Sequence, residues 1–137
     1  MAERATAVMP WRLPVRISLF RILIVDDEPD LRYILRRIFE RAGHEVADAG
    51  HGAAALEAVH RSPPDLIVTD MMMPVMGGAE LIRRLRADPS TADIPILAAT
   101  ADAPLAAGAD VVLSKPWKSQ QLLTAANALI AQKAARP

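Results

Sequence analysis

RILIVDDEPDLRYILRRIFERAG, residues 21–43, joins two hydrophobic periods in one stretch. Arg21 to Val25 is an aliphatic run ending at Asp26, the pattern of a strand buried on both faces of a parallel sheet. From Pro29 to Ala42, Leu31, Ile34, Leu35, Ile38 and Phe39 recur at helical spacing, while Arg32, Arg36, Arg37 and Arg41 fall largely elsewhere. That spacing predicts an amphipathic helix stopped by Gly43. A buried strand running directly into such a helix is the opening of a β-α-β unit.

The same alternation continues along the chain. A short strand is expected near Glu45 to Ala49, an Ala-rich helix near Ala53 to His60, and a proline-marked turn at Ser62 to Pro64. DLIVT forms a third strand ending at Asp70, MMMPVMGG a loop, and a helix follows near Ala79 to Ala87. IPILAAT gives a fourth strand ending at Thr100, DVVLS a fifth, and Gln120 to Ala134 a closing helix. Strands alternating with helices predict an α/β three-layer sandwich with right-handed crossovers around a parallel sheet.

The chain of 137 residues, 52% apolar and 23% charged, fits one domain with a sizeable core. Sixteen basic against sixteen acidic side chains leave no net charge, which disfavours nucleic acid or an anionic membrane as a partner held by bulk charge. The absence of cysteine excludes disulfides and thiolate metal sites and agrees with a reducing, cytoplasmic setting. Pro10 and Pro14 interrupt the apolar character of residues 1–19, and no run approaches the roughly 18 to 20 residues that cross a bilayer. Residues 1–19 are read as a partly ordered extension, residues 20–134 as the folded domain, with no output domain after it.

Asp26 and Asp27 follow the first strand, Asp70 the third, Thr100 the fourth and Lys115 the fifth, so all reach the carboxyl edge of the sheet, where open α/β sheets gather their functional groups. Asp26 and Asp27 are either turn residues or part of a carboxylate cluster with Asp70. Converging carboxylates repel one another, and a hard divalent cation bound through oxygen resolves that repulsion; Mg²⁺ is the economical choice. One carboxylate can then attack phosphorus and form an acyl phosphate, with a lysine ammonium and a threonine hydroxyl on the phosphoryl oxygens.

These motifs, ILIVDDEPD, DLIVTDMMMP, ILAAT and LSKP, resemble in order and position the receiver domain of response regulators in bacterial two-component signalling, across Arg21 to Ala134. The resemblance implies a flavodoxin-like five-stranded sheet of order 2-1-3-4-5. It makes Asp70 the phosphoacceptor, places Mg²⁺ on Asp27 and Asp70 with the carbonyl of Met72, and gives Asp26 a part mainly through water. Thr100 matches the switch hydroxyl and Lys115 the family lysine, with Pro116 marking the bend after it. The partners implied are a sensor histidine kinase or a histidine phosphotransfer protein, in the cytoplasm; that neither nucleic acid nor membrane is a partner is expected from the charge balance and the lack of a spanning run, not from the resemblance. Homodimerisation is an open reading.

Two departures stand out. Only fourteen residues separate Thr100 from Lys115, roughly seven fewer than the family commonly has, equivalent to about 10 Å of helix. The helix expected between the fourth and fifth strands is therefore shortened or missing, with at most one turn at Pro104 to Ala107. Val112 stands where typical receivers carry a tyrosine or phenylalanine whose rotation reports phosphorylation, and valine has no ring to rotate. Gly77 replaces a usual aspartate or asparagine, and Gly77 with Gly78 permits a tight loop beside Asp70. Met72 and Asp102 fall at variable family positions that influence phosphoryl lifetime.

Other residues read as ordinary. His44, His51 and His60 are expected at the surface, Arg83, Arg84 and Arg86 on a solvated helix face, the methionines in packing, and Trp117 as an anchor for the last helix. The leading expectation is a single-domain response regulator in a phosphorelay, a phosphoacceptor with autodephosphorylation rather than a turnover enzyme. The alternative is a pseudo-receiver acting as a non-phosphorylated interaction module. A haloacid-dehalogenase-like phosphatase would carry a second acid two residues after its nucleophile, where this chain has Met72.

Overall fold

A computed structural model describes residues 20–101 and 106–135 of the chain. The elements are β1 Arg21–Val25, α1 Pro29–Arg41, β2 Glu45–Ala49, α2 Gly52–Arg61, β3 Leu66–Thr69, α3 Gly78–Ala87, β4 Ile96–Thr100, β5 Val111–Ser114 and α4 Ser119–Ala134. All strands pair in parallel, in the order β2-β1-β3-β4-β5. This is the three-layer, flavodoxin-like sheet expected. The readings of residues 1–19 and of Asp102 lie outside the described residues.

The opening stretch folds as its periods dictate. Glu28 caps α1, its carboxylate accepting from Asp30 N at 2.7 Å and Leu31 N at 3.1 Å, and Pro29 starts the helix where no donor is needed. At the other end Gly43 takes φ 98°. Gly43 N donates to Glu40 O at 3.0 Å and His44 N to Phe39 O at 3.1 Å, the paired bonds of a Schellman stop.

Alternation along the strands divides the core in two. Ile22, Ile24, Leu66, Val68, Leu97 and Ala99 meet Leu35 and Phe39 of α1 and Leu122, Ala126, Leu129 and Ile130 of α4. Leu23, Val25, Ile67, Ile96 and Ala98 meet Ala55 and Val59 of α2 and Leu81, Ile82 and Leu85 of α3. Each face thus carries two helices, as a sheet with successive side chains pointing oppositely requires. Among the described residues no helix is long and apolar enough to cross a membrane.

The connection from β4 to β5 contains no α-helix among its described residues, and the proposed turn at Pro104 to Ala107 falls partly outside them. Ala106 is buried in the α2/α3 cluster and Ala109 packs against it, so the end of the crossover lies on that face. Arg86 ties it down. Its Nη1 donates to Ala92 O at 2.7 Å and Ile94 O at 2.8 Å. Its Nη2 donates to Asp110 Oδ2 at 2.8 Å and Gly108 O at 3.2 Å. Asp110 Oδ2 also accepts from Ile96 N at 2.7 Å. Arg86 is therefore not part of a solvated basic face; only Arg83 and Arg84 are exposed, both paired with Glu80, whose carboxyl their guanidinium groups pull down to about 2.

His44 also departs from the surface reading. It is 8% exposed and packs against Phe20 and Phe39, with ring centroids 6.0 and 6.2 Å away. His51 caps α2 by accepting from Ala54 N at 3.2 Å, and exposed His60 pairs with Asp88 at 3.4 Å.

Candidate metal centre

Asp26 lies directly after β1 and Asp70 directly after β3, and those strands are neighbours, so pairing alone brings the two turns together. One carboxylate oxygen from each of Asp26, Asp27 and Asp70 falls within a span of 4.8 Å. Asp26 is 1% and Asp70 9% exposed, whereas Asp27 faces solvent. Burial raises the Asp26 pKa above its ordinary value; the Glu28 N–H and the Lys115 ammonium act against that rise, and the charges of Asp70 and Asp27 add to it. A buried acid crowded by two others and still open on its Asp27 side suits a hard cation taking oxygen ligands.

Lys115 follows β5 and crosses the sheet edge to the acids, its Nζ 3.1 Å from Asp70 Oδ2 and 3.8 Å from Asp26 Oδ2. The other Asp70 oxygen, Oδ1, accepts from Met71 N at 2.6 Å. Thr100, fully buried at the end of β4, is in register with Ser114, and Lys115 N donates to Thr100 O at 3.0 Å. The short crossover has therefore not displaced threonine or lysine from adjacent strand ends. The Lys115–Pro116 peptide is cis, and Trp117 packs at the edge of the α1/α4 cluster as an anchor.

Met72, two residues after Asp70, is 62% exposed. Val112, paired with Ala98, is 38% exposed, because Val111 and Leu113 take the face turned to α4. Two further residues shape the site, Thr69 without a signal in spacing and Gly78 from the loop already read as tight beside Asp70. Thr69, 1% exposed, donates its hydroxyl to Asp70 O at 2.7 Å. Gly78 is needed for close approach rather than conformational freedom: a Cβ there would stand 2.5 Å from Asp70 O. Gly77 has an ordinary φ of −79°, so the two glycines act through space, and the left-handed residue of this loop is Val75, at φ 66°.

Sheet order, an acidic cluster at the ends of the neighbouring strands β1 and β3 and a lysine reaching it from the edge strand together define a receiver domain. The chain belongs to the response regulator receiver domain family, whose model matches residues 22–127. It is 43% identical over 117 residues to the response regulator MprA of Mycobacterium leprae, covering 80% of this chain and 50% of that protein. It is 36% identical over 124 residues to the DNA-binding response regulator MtrA of Mycolicibacterium smegmatis, covering 85% and 53%. The chain thus spans about half the length of the curated relatives it matches. With a DNA-binding regulator among those relatives, the expectation of no nucleic-acid contact rests on charge balance alone.

Among solved structures, the receiver domain of a Pseudomonas aeruginosa PAO1 sensor histidine kinase superposes with a TM-score of 0.77 at 28% identity, covering 82% of this chain and 98% of that one. A magnesium ion is coordinated in its active-site cleft. The response regulator TrrA of Thermotoga maritima, in complex with Mg²⁺-BeF, gives 0.74 at 29% identity, covering 80% and 98%.

Proposed function

We propose that this domain accepts a phosphoryl group from a phosphohistidine onto Asp70 in a Mg²⁺-dependent step, the histidine belonging to a sensor kinase or a phosphotransfer protein. The observation that carries the reading is the span of 4.8 Å holding oxygens of Asp26, Asp27 and Asp70, with Lys115 3.1 Å from Asp70. Asp27 and Asp70 with the Met72 carbonyl would hold the ion, and Asp26 would act mainly through water. Bound Mg²⁺ supplies positive charge against the phosphoryl oxygens.

The chain's own groups do the rest. A carboxylate oxygen of Asp70 attacks phosphorus as the P–N bond of the phosphohistidine breaks, and the departing imidazole keeps the bond's electron pair. Lys115 moves from the carboxylate, whose charge is consumed in the new mixed-anhydride bond of the acyl phosphate, to a phosphoryl oxygen. Thr100 donates its hydroxyl to another. Hydrolysis or transfer to a second histidine then returns the free carboxylate.

Incubation with acetyl phosphate or a phosphorylated kinase and Mg²⁺ is expected to give a base-labile adduct by intact mass, absent from Asp70→Asn. No adduct with either donor would sink the reading. Val112, exposed and without a ring to rotate, favours a second reading, an interaction module that works unphosphorylated on the same fold.

A further inference from the structure

Asp26 is held at more points than its carboxylate. Its N–H donates to Ala49 O at 3.1 Å, and its Oδ1 accepts from Glu28 N at 2.9 Å. Its carbonyl accepts a 2.7 Å bond from Arg32 Nη1. The Arg32 side chain is 24% exposed, and its Nε lies 4.0 Å from Asp48 Oδ1. Asp48 in turn accepts from Arg36 Nη1 at 3.0 Å. One guanidinium thus connects the backbone between the two acids to the end of β2, the strand that also receives the Asp26 N–H.

The Asp26 carbonyl belongs to the rigid peptide plane that leads into Asp27. Fixing that oxygen fixes the direction in which Asp27 leaves, and Asp27 is the exposed member of the cluster. Spanning a carbonyl and a carboxylate at once requires the planar fork of arginine; a lysine ammonium reaches one of them.

We propose that Arg32 is a positioning residue for the metal site, holding the Asp26–Asp27 peptide so that both carboxylates face Asp70; this rests on the Mg²⁺ reading above. Charge and position predict opposite signs for its removal. A guanidinium near the cluster repels an incoming cation, so a purely electrostatic role predicts tighter Mg²⁺ binding without it. Loss of a group that orients ligands predicts weaker binding, by about tenfold or more.

Calorimetric titration of Mg²⁺ into the wild-type chain, Arg32→Met and Arg32→Lys, well below their melting temperatures, separates the two. Arg32→Met keeps the apolar stem and is expected to raise the Mg²⁺ Kd about tenfold, while Arg32→Lys keeps the charge and one bond and falls between. An unchanged or tighter Kd in Arg32→Met overturns the proposal, whatever the melting temperature does, because a merely structural residue shifts melting and leaves the Kd of the folded chain alone. Should Arg32→Met not fold, Arg32→Lys decides: a weaker Kd supports the role and a wild-type Kd refutes it. Wild-type protein that takes up no Mg²⁺ overturns the metal reading and Arg32's part together, whereas wild-type uptake with unaffected variants overturns Arg32's part alone.

Discussion

Asp26 shows what the site costs the metal-free fold. Its proton is held more tightly in the folded protein than in the unfolded chain, mainly because burial disfavours the charge. The metal-free fold is therefore favoured by this group at acid pH and loses that contribution as pH rises through the raised pKa. Asn at position 26 keeps an oxygen for the Glu28 N–H and removes the charge. Metal-free Asp26→Asn should melt above wild type at neutral pH, with the gap closing as pH falls below the ordinary carboxylate range; a variant that melts lower at neutral pH contradicts the account. Val75 is strained for a different reason. It is β-branched, 81% exposed and at φ 66°, a conformation that costs about 1–2 kcal/mol outside glycine. Val75→Asn, a residue that tolerates this region, should gain about 1 kcal/mol in urea unfolding with an unchanged m-value.

At the level of elements, the crossover after β4 tests whether one side chain can stand in for a helix. Arg86 joins the end of α3 to the starts of β4 and β5 through Ala92 O, Ile94 O, Gly108 O and Asp110. Arg86→Met keeps the stem but releases these acceptors, and should destabilise the domain by about 2 kcal/mol. Its Mg²⁺ affinity should stay at the wild-type value, because the clamp sits at the edge of the sheet opposite the acids. A melting curve and a titration on one preparation check both. Elements of this kind divide what could be read in the chain from what could not. The bounds of β1, and of α1 to within a residue, were legible because Pro29 and Gly43 act on their immediate neighbours. Asp26, Asp70, Thr100 and Lys115 were legible because each sits at a strand end. Arg86 was not, since Gly108 and Asp110 lie 22 and 24 residues away and helical periodicity sees only a basic face. Arg32 looked like a surface arginine because helical periodicity does not register the Asp26 carbonyl ahead of the helix or Asp48 on β2, and His44 gave no sign of the Phe20 and Phe39 rings that bury it.

Across the whole molecule the acids come from the turns after β1 and β3 and the lysine from the turn after β5, so the cluster exists only when the sheet is assembled. A cation bound there stabilises the global fold, not one loop. At a Mg²⁺ concentration one hundred times its Kd the gain is about 2.7 kcal/mol, or roughly 10 °C in Tm for a domain of this size. Asp27 is exposed, so Asp27→Asn should leave the metal-free Tm nearly where it was and abolish most of the Mg²⁺ shift. Lowering the pH through the raised Asp26 pKa should shrink the shift in wild type too, since a protonated acid at the centre withdraws charge from the cluster. Melting curves with and without Mg²⁺ at several pH values read out both effects. A shift that survives intact in Asp27→Asn would place the ion elsewhere on the protein, because nothing but assembly of these strand ends brings that carboxylate to Asp26 and Asp70.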